Sequence, residues 1–141
     1  MIAPRALAPQ LAVAGQVRVE DMAGIATRYA MLINNRPDGE EPGQPLSAEL
    51  EAAARKLGLA YWYIPVSGEI ADSDVAAFAK ALSGGRRPAL AFCRTGNRSA
   101  KLWALSQAGK RSAEQILEAT AGAGYDLRSL EHRLVQPAPG Q

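Results

Sequence analysis

The sequence predicts an α/β domain with a mostly parallel central sheet of four to five strands flanked by helices, and three features predict it. Short apolar runs at Leu11–Ala14, Ala30–Asn34, Ala60–Val66 and Pro88–Phe92 are too brief for helices and are rich in aliphatic, β-branched or aromatic residues. Between them lie segments whose apolar residues recur every three or four positions, the spacing of an amphipathic helix. Gly and Pro mark most of the junctions. Strands that alternate with helices in this way form βαβ units, whose strands must run parallel with helices covering the faces.

Each element follows from local chemistry. Gly15-Gln16 ends the first strand, and Met22, Ile25, Ala26 and Tyr29 then recur at helical spacing. Glu20 and Asp21 stand at that helix's start, where its dipole favours acids. Asn35 to Leu46 holds Pro, Gly, Asn and Asp and reads as the longest loop. Ser47 is the expected N-cap of a helix with its core stripe at Leu50, Ala53, Ala54 and Leu57, stopped by Gly58. Ala60–Val66 is expected to be a buried strand with Pro65 at its end. Asp72 is expected to cap a helix that buries Val75, Phe78, Ala79 and Leu82 and closes at Gly84-Gly85. The helix after Cys93 is expected to stop near Gly109. Ser112 and Gln115 make a capping box for the next helix, which ends at Gly122 or Gly124. Leu127–Val135 holds one or two further helical turns, and 136–141 reads as a flexible tail.

Composition bounds the function. The 141 residues suit a single catalytic domain over 1–135, with 48% hydrophobic and 21% charged residues. A net charge of +2, with basic residues scattered apart from Arg86-Arg87, gives no nucleic-acid surface. One cysteine excludes an internal disulfide, and with one histidine, His132, it is too few for structural zinc; no metal or cofactor is expected. Both facts suit a reducing compartment, so a cytoplasmic location is expected. No apolar run is long enough to span a membrane. The start, Met1 to Gly15, faintly mimics a signal peptide, but two prolines and Gln10 interrupt its apolar core.

The chemistry concentrates in Cys93-Arg94-Thr95-Gly96-Asn97-Arg98-Ser99, between a strand and a helix. A lone cysteine is more often a small buried hydrophobe than a nucleophile. Here, however, the apolar run ends at the cysteine, and a Gly-containing turn with two arginines opens a helix. Successive N–H groups and the helix N-terminus make an anion cradle there, a setting that favours a thiolate and prepares a sulfur nucleophile. Parallel strands bring two more loops to the same sheet edge. One carries Asn35, Arg36, Asp38, Glu40 and Glu41; the other carries Ser67, Glu69 and Asp72.

With these residues in view, the chain resembles the phosphatase-like domain of the beta-lactamase-hydrolase-like protein family, related to dual-specificity and tyrosine phosphatases. The likeness runs from Leu11 to about Leu134. It is carried by Gly15-Gln16, the stretch Ile33-Asn-Asn-Arg36-Pro-Asp38-Gly-Glu40-Glu-Pro-Gly-Gln-Pro45, Ile64-Pro-Val66, and Cys93-Arg-x-Gly-x-Arg98-Ser99. The resemblance implies a three-layer phosphatase-like fold, Cys93 as nucleophile and Arg98 as the anion-binding arginine. It also implies that Ser99 donates a hydrogen bond to the thiolate. Arg94, Thr95, Gly96 and Asn97 would complete the cradle, and Arg36 would reach the bound anion from its loop.

Three departures bear on the reaction. Tyrosine phosphatases hold five residues between cysteine and arginine; here there are four, Arg94 to Asn97. At about 3.3–3.6 Å of chain per residue the rim is shorter, and it resembles the active-site turn of rhodanese-type sulfurtransferases. Phe92 stands where those phosphatases carry histidine. Ser67-Gly68 stands where dual-specificity phosphatases place the aspartate that protonates the leaving group; Glu69, Asp72 and Asp38 are the remaining acid candidates.

The expected activity is therefore sulfur transfer through a Cys93 persulfide, from a small anionic sulfur donor to a thiol acceptor. A phosphatase acting on a phosphate ester through a phosphocysteine is the alternative, and a non-catalytic anion or redox sensor is the third. The resemblance also makes a fused or separate enzyme of sulfur metabolism a candidate partner.

Overall fold

The computed structural model describes residues 2–135, so the tail expected at 136–141 lies outside the described residues. Five strands, β1 (Arg5–Ala8), β2 (Leu11–Ala14), β3 (Met31–Asn34), β4 (Ala60–Tyr63) and β5 (Ala89–Phe92), form one sheet in the order β1-β2-β5-β3-β4. β1 pairs antiparallel with β2, and every other pairing is parallel. The helices are α1 (Met22–Arg28), α2 (Ser47–Lys56), α3 (Asp72–Gly84), α4 (Asn97–Ser106), α5 (Ala113–Gly122) and α6 (Glu131–Leu134).

The pleat divides the strands between two cores. Leu11, Val13, Met31, Ile33, Ala89 and Ala91 face α3, α4, α5 and α6. Ala12, Ala14, Leu32, Leu90 and Phe92 face Met22 and Ile25 of α1 and Leu50 and Ala54 of α2. Alternation with period two on strands only four residues long thus builds the three layers. Leu50 is fully buried, a burial that stabilises by about 1.5–3 kcal/mol.

Several local expectations are corrected. β1 has no apolar pattern of its own: Arg5 is exposed, Leu7 alone is buried, and the strand exists because β2 offers it an edge. β4 is not the buried strand that its composition predicts: it lies at the sheet edge with Trp62 and Tyr63 exposed. Leu57 follows α2 and is exposed rather than part of its core stripe. Leu46, not Ser47, is the N-cap of α2, and Glu49 accepts its N–H at 3.3 Å. Ala71, not Asp72, caps α3, and Asp74 accepts its N–H at 2.9 Å. The Ser112–Gln115 capping box forms as expected, with Gln115 N–H donating to Ser112 Oγ at 3.1 Å.

Candidate active site

Parallel register aligns the strand ends that build the site. Ala14, Phe92, Asn34 and Tyr63 pair at one level of the sheet. The next residues, Gly15-Gln16, Cys93 and Asn35-Arg36, therefore emerge together at the carboxyl edge, where ligands bind in open α/β sheets.

The Cys93 turn is shaped by main-chain contacts. Gly96, at φ +94°, takes a left-handed conformation that a side chain resists, and its N–H donates to Cys93 Sγ at 3.1 Å. The N–H groups of Arg94, Thr95, Arg98 and Ser99 have no acceptor among the described residues. They are free donors on the Cys93 turn and at the N-terminus of α4. Gln16 N–H donates to the Arg94 carbonyl at 3.2 Å and braces the turn from β2. A Cβ on Gly15 would stand 3.1 Å from that same carbonyl. From the opposite side, the Tyr125 hydroxyl donates to the Thr95 carbonyl at 3.3 Å. Burial raises the Tyr125 pKa, Arg5 draws it back, and charge on Cys93 raises it further. Cys93 is only 1% exposed and lies at the floor of the turn.

The loop after β3 supplies most of the surrounding polar groups. Asn34 Oδ1 accepts the Arg36 N–H at 2.8 Å, and its Nδ2 donates to Tyr61 Oη at 3.0 Å. Tyr61 Oη is also hydrogen-bonded to Ser47 Oγ at 2.8 Å, and burial raises the Tyr61 pKa. Asn35 is fully buried and donates to the Ile64 carbonyl at 2.9 Å. Beyond them, Glu40 meets two arginines. Its Oε1 and Oε2 each accept from Arg98 at 2.8 Å, and Oε1 also accepts from Arg36 Nε at 2.9 Å. The hydrogen bonds from Arg98 hold the Glu40 carboxyl at about 2, against the opposing effect of its partial burial and with help from Arg36. Arg98 Nη1 also donates to the Val66 carbonyl at 2.9 Å.

This geometry can be set beside known proteins. Residues 4–110 match the family model of the beta-lactamase hydrolase-like protein, phosphatase-like domain. The chain belongs to this family. A beta-lactamase hydrolase-like protein of Xylella fastidiosa is 38% identical over 122 residues, which cover 84% of this chain and 28% of the relative. One of Agrobacterium fabrum is 35% identical over the same length and shares. The chain thus spans less than a third of these relatives. A candidate phosphatase from Neisseria meningitidis superposes with a TM-score of 0.83 at 30% identity, covering 93% of this chain and 95% of that one. A kinase associated phosphatase shares the fold at a TM-score of 0.75 and 16% identity, over 96% and 92% of the two chains. The fold is that of the tyrosine phosphatases.

Within the phosphatase-like family frame, the expected site residues sort by position. Cys93, Thr95, Gly96, Arg98 and the N–H of Arg94 come together as one turn. The Arg94 side chain instead points outward, two-thirds exposed, and pairs with Glu41 at 2.7 Å. Asn97 opens α4, and its N–H donates to Thr95 Oγ1 at 3.3 Å. Ser99 corrects an expectation: its hydroxyl donates to Asn35 Oδ1 at 2.8 Å and so is not aimed at the sulfur. Arg36, expected to bind the anion from its loop, is a buried strut. Its Nη1 donates to Gln16 Oε1 at 2.8 Å. Its Nη2 stands 3.1 Å from Glu41 Oε1, at ion-pair distance but off the line of a hydrogen bond. A buried guanidinium needs such partners, because an uncompensated charge there costs several kcal/mol (about 3–5 when a partner is removed).

The acid candidates divide as well. Asp38 Oδ1 accepts the Ser47 N–H at 2.8 Å and so serves the start of α2. Asp72 is exposed and stands 3.5 Å from Arg133. Glu69 is exposed on the loop from Val66 to α3, with no ion pair or hydrogen bond among the described residues. Sequence reasoning left Tyr125 and the Val66 carbonyl unnoticed, and it placed Glu40 only on the rim. Nothing local marks them. A separate groove of about 880 Å³ lies between α5 and the segment before α6, lined by Leu117, Leu127, Glu114 and Glu118, and touches the site only through Tyr125.

Proposed function

We propose that this chain is a phosphatase-type hydrolase in which Cys93 is the nucleophile. The observation that carries the reading is the Cys93 turn, where Gly96 N–H donates to the sulfur, the N–H groups of Arg94, Thr95, Arg98 and Ser99 have no acceptor among the described residues, and the Arg98 guanidinium is set against the sulfur. Free main-chain donors beside an arginine suit the oxygens of a phosphoryl group and the charge they gather in the transition state. The thiolate forms a sulfur–phosphorus bond as the ester oxygen leaves, and water then cleaves the phosphocysteine to release phosphate. Family membership and the Neisseria candidate phosphatase support this reading over the sulfur transfer expected first.

Sulfur transfer stays as a second reading because one observation favours it. Glu40, the carboxyl group closest to Arg98, is held ionised with a pKa of about 2 and cannot protonate a leaving group near neutral pH. A thiosulfate-type donor releases an anion and needs no such acid. Aryl phosphate hydrolysis and thiosulfate-to-thiol transfer, measured on one preparation, decide between the two. Phosphate release that Cys93→Ser abolishes supports the first reading. A sulfur adduct on Cys93 with turnover by a thiol, and no phosphate release, replaces it by the second.

A further inference from the structure

Arg98 has five N–H groups in one rigid plane, and three of them are accounted for. Nη1 donates to Glu40 Oε2 at 2.8 Å and to the Val66 carbonyl at 2.9 Å, which uses both of its hydrogens. Nη2 donates one hydrogen to Glu40 Oε1 at 2.8 Å. The two that remain, on Nε and Nη2, lie along one side edge of the guanidinium and meet no oxygen acceptor among the described residues, while the Cys93 sulfur is set against the guanidinium. They form a fork of the shape that grips two oxygens of one anion. The sulfur of Cys93 is near enough to raise the Arg98 pKa, after the larger effect of Glu40.

Glu40 is itself fixed. Arg36 Nε donates to its Oε1 at 2.9 Å, and Gln44 Oε1 accepts its main-chain N–H at 3.1 Å. Gln44 Nε2 donates to the Pro37 carbonyl at 2.9 Å and closes the loop on itself. Arg36 is buried and tied to Gln16, two residues past the end of β2. The line Gln16–Arg36–Glu40–Arg98 thus runs from the sheet to the arginine without a free joint.

We propose that Glu40 is the positioning residue of Arg98: by holding the end of the guanidinium, it presents the Nε–Nη2 edge to an oxyanion seated over Cys93. This rests on the reading of the Cys93 turn as an oxyanion cradle and holds for phosphoryl and thiosulfonate groups alike. The opposite role is an internal competitor, a carboxylate that occupies the arginine until substrate displaces it. The two roles predict opposite signs.

The test is calorimetric titration of the whole chain with inorganic phosphate and with thiosulfate. Wild type, Glu40→Gln, Glu40→Ala and Arg98→Ala are compared, with melting temperature and the kcat and KM of whichever reaction wild type performs. Positioning predicts that Glu40→Ala weakens oxyanion binding by about tenfold or more, measured at a temperature where its melting curve shows it folded. Glu40→Gln, which retains one acceptor oxygen, falls between Ala and wild type in affinity and in kcat/KM. Unchanged or tighter binding in Glu40→Ala overturns the proposal. If Glu40→Ala does not fold, Glu40→Gln decides by the same sign. Should wild type bind neither anion, and Arg98→Ala change nothing, the cradle reading falls and takes this proposal with it. Binding that Arg98→Ala abolishes but Glu40→Ala leaves intact rejects the positioning role alone.

Discussion

Ser99 Oγ donates to Asn35 Oδ1 at 2.8 Å, and both residues are fully buried. Asn35 Nδ2 continues the link to the Ile64 carbonyl at 2.9 Å. One hydroxyl and one amide therefore join the first turn of α4 to the loops after β3 and β4. Removing the hydroxyl leaves Asn35 Oδ1 buried without its partner, so Ser99→Ala is expected to cost about 1–3 kcal/mol. Urea denaturation measures it. Unchanged stability with slowed turnover would instead return the hydroxyl to the sulfur.

Cys93→Ser is expected to abolish turnover of both aryl phosphate and thiosulfate while phosphate binding and the thermal melt persist. The cradle is built from main-chain N–H groups and Arg98, none of which the substitution removes. Residual turnover within a few fold of wild type would place the nucleophile elsewhere.

Arg98→Lys is expected to fail nearly as badly as Arg98→Ala in kcat/KM. A lysine ammonium cannot hold Glu40 with one edge and offer a second edge to the substrate. Steady-state kinetics on the pair of variants test this, and near-wild-type activity in the lysine variant would refute it.

Gly96→Ala meets two obstacles. Its φ of +94° is strained for any side chain, and the new Cβ would overlap Tyr125 Oη. The strain alone costs about 1–3 kcal/mol. Pairing it with Tyr125→Ala relieves the overlap but not the strain, so the double variant is expected to recover only part of the lost melting temperature. Full recovery would show that the backbone conformation costs nothing.

Acid pH gives a signed prediction for Glu40. Its pKa falls from 4.5 to about 2 in the folded chain, so pairing with Arg98 and Arg36 stabilises fully above 4.5. That contribution fades as pH drops from 4.5 through 2. Glu40→Gln is therefore expected to lose less stability than wild type on going from about pH 6 to about pH 3. Since the Glu40 side chain is 28% exposed, added salt should shrink the difference. Parallel acid limbs for the two proteins in urea titrations would contradict the pairing.

Periodicity and turn chemistry are local, and they made the α/β class, the strand–turn–helix at Cys93 and the capping box at Ser112 legible from the residues alone. The family resemblance rested on the same continuous stretches, and the match over 4–110 bears it out. β1 and the edge place of β4 were not legible, because a strand's neighbours are chosen by pairing rather than by its own four residues. The site shows the same divide. A cysteine and an arginine within one turn, Cys93 and Arg98, can be read in order along the chain. Their supports come from 58 residues away for Glu40 on Arg98, 64 for Asn35 on Ser99 and 30 for Tyr125 on Thr95. Which buried donor meets which acceptor depends on the parallel register that brings the strand ends to one level, and that register is settled only when the sheet has formed.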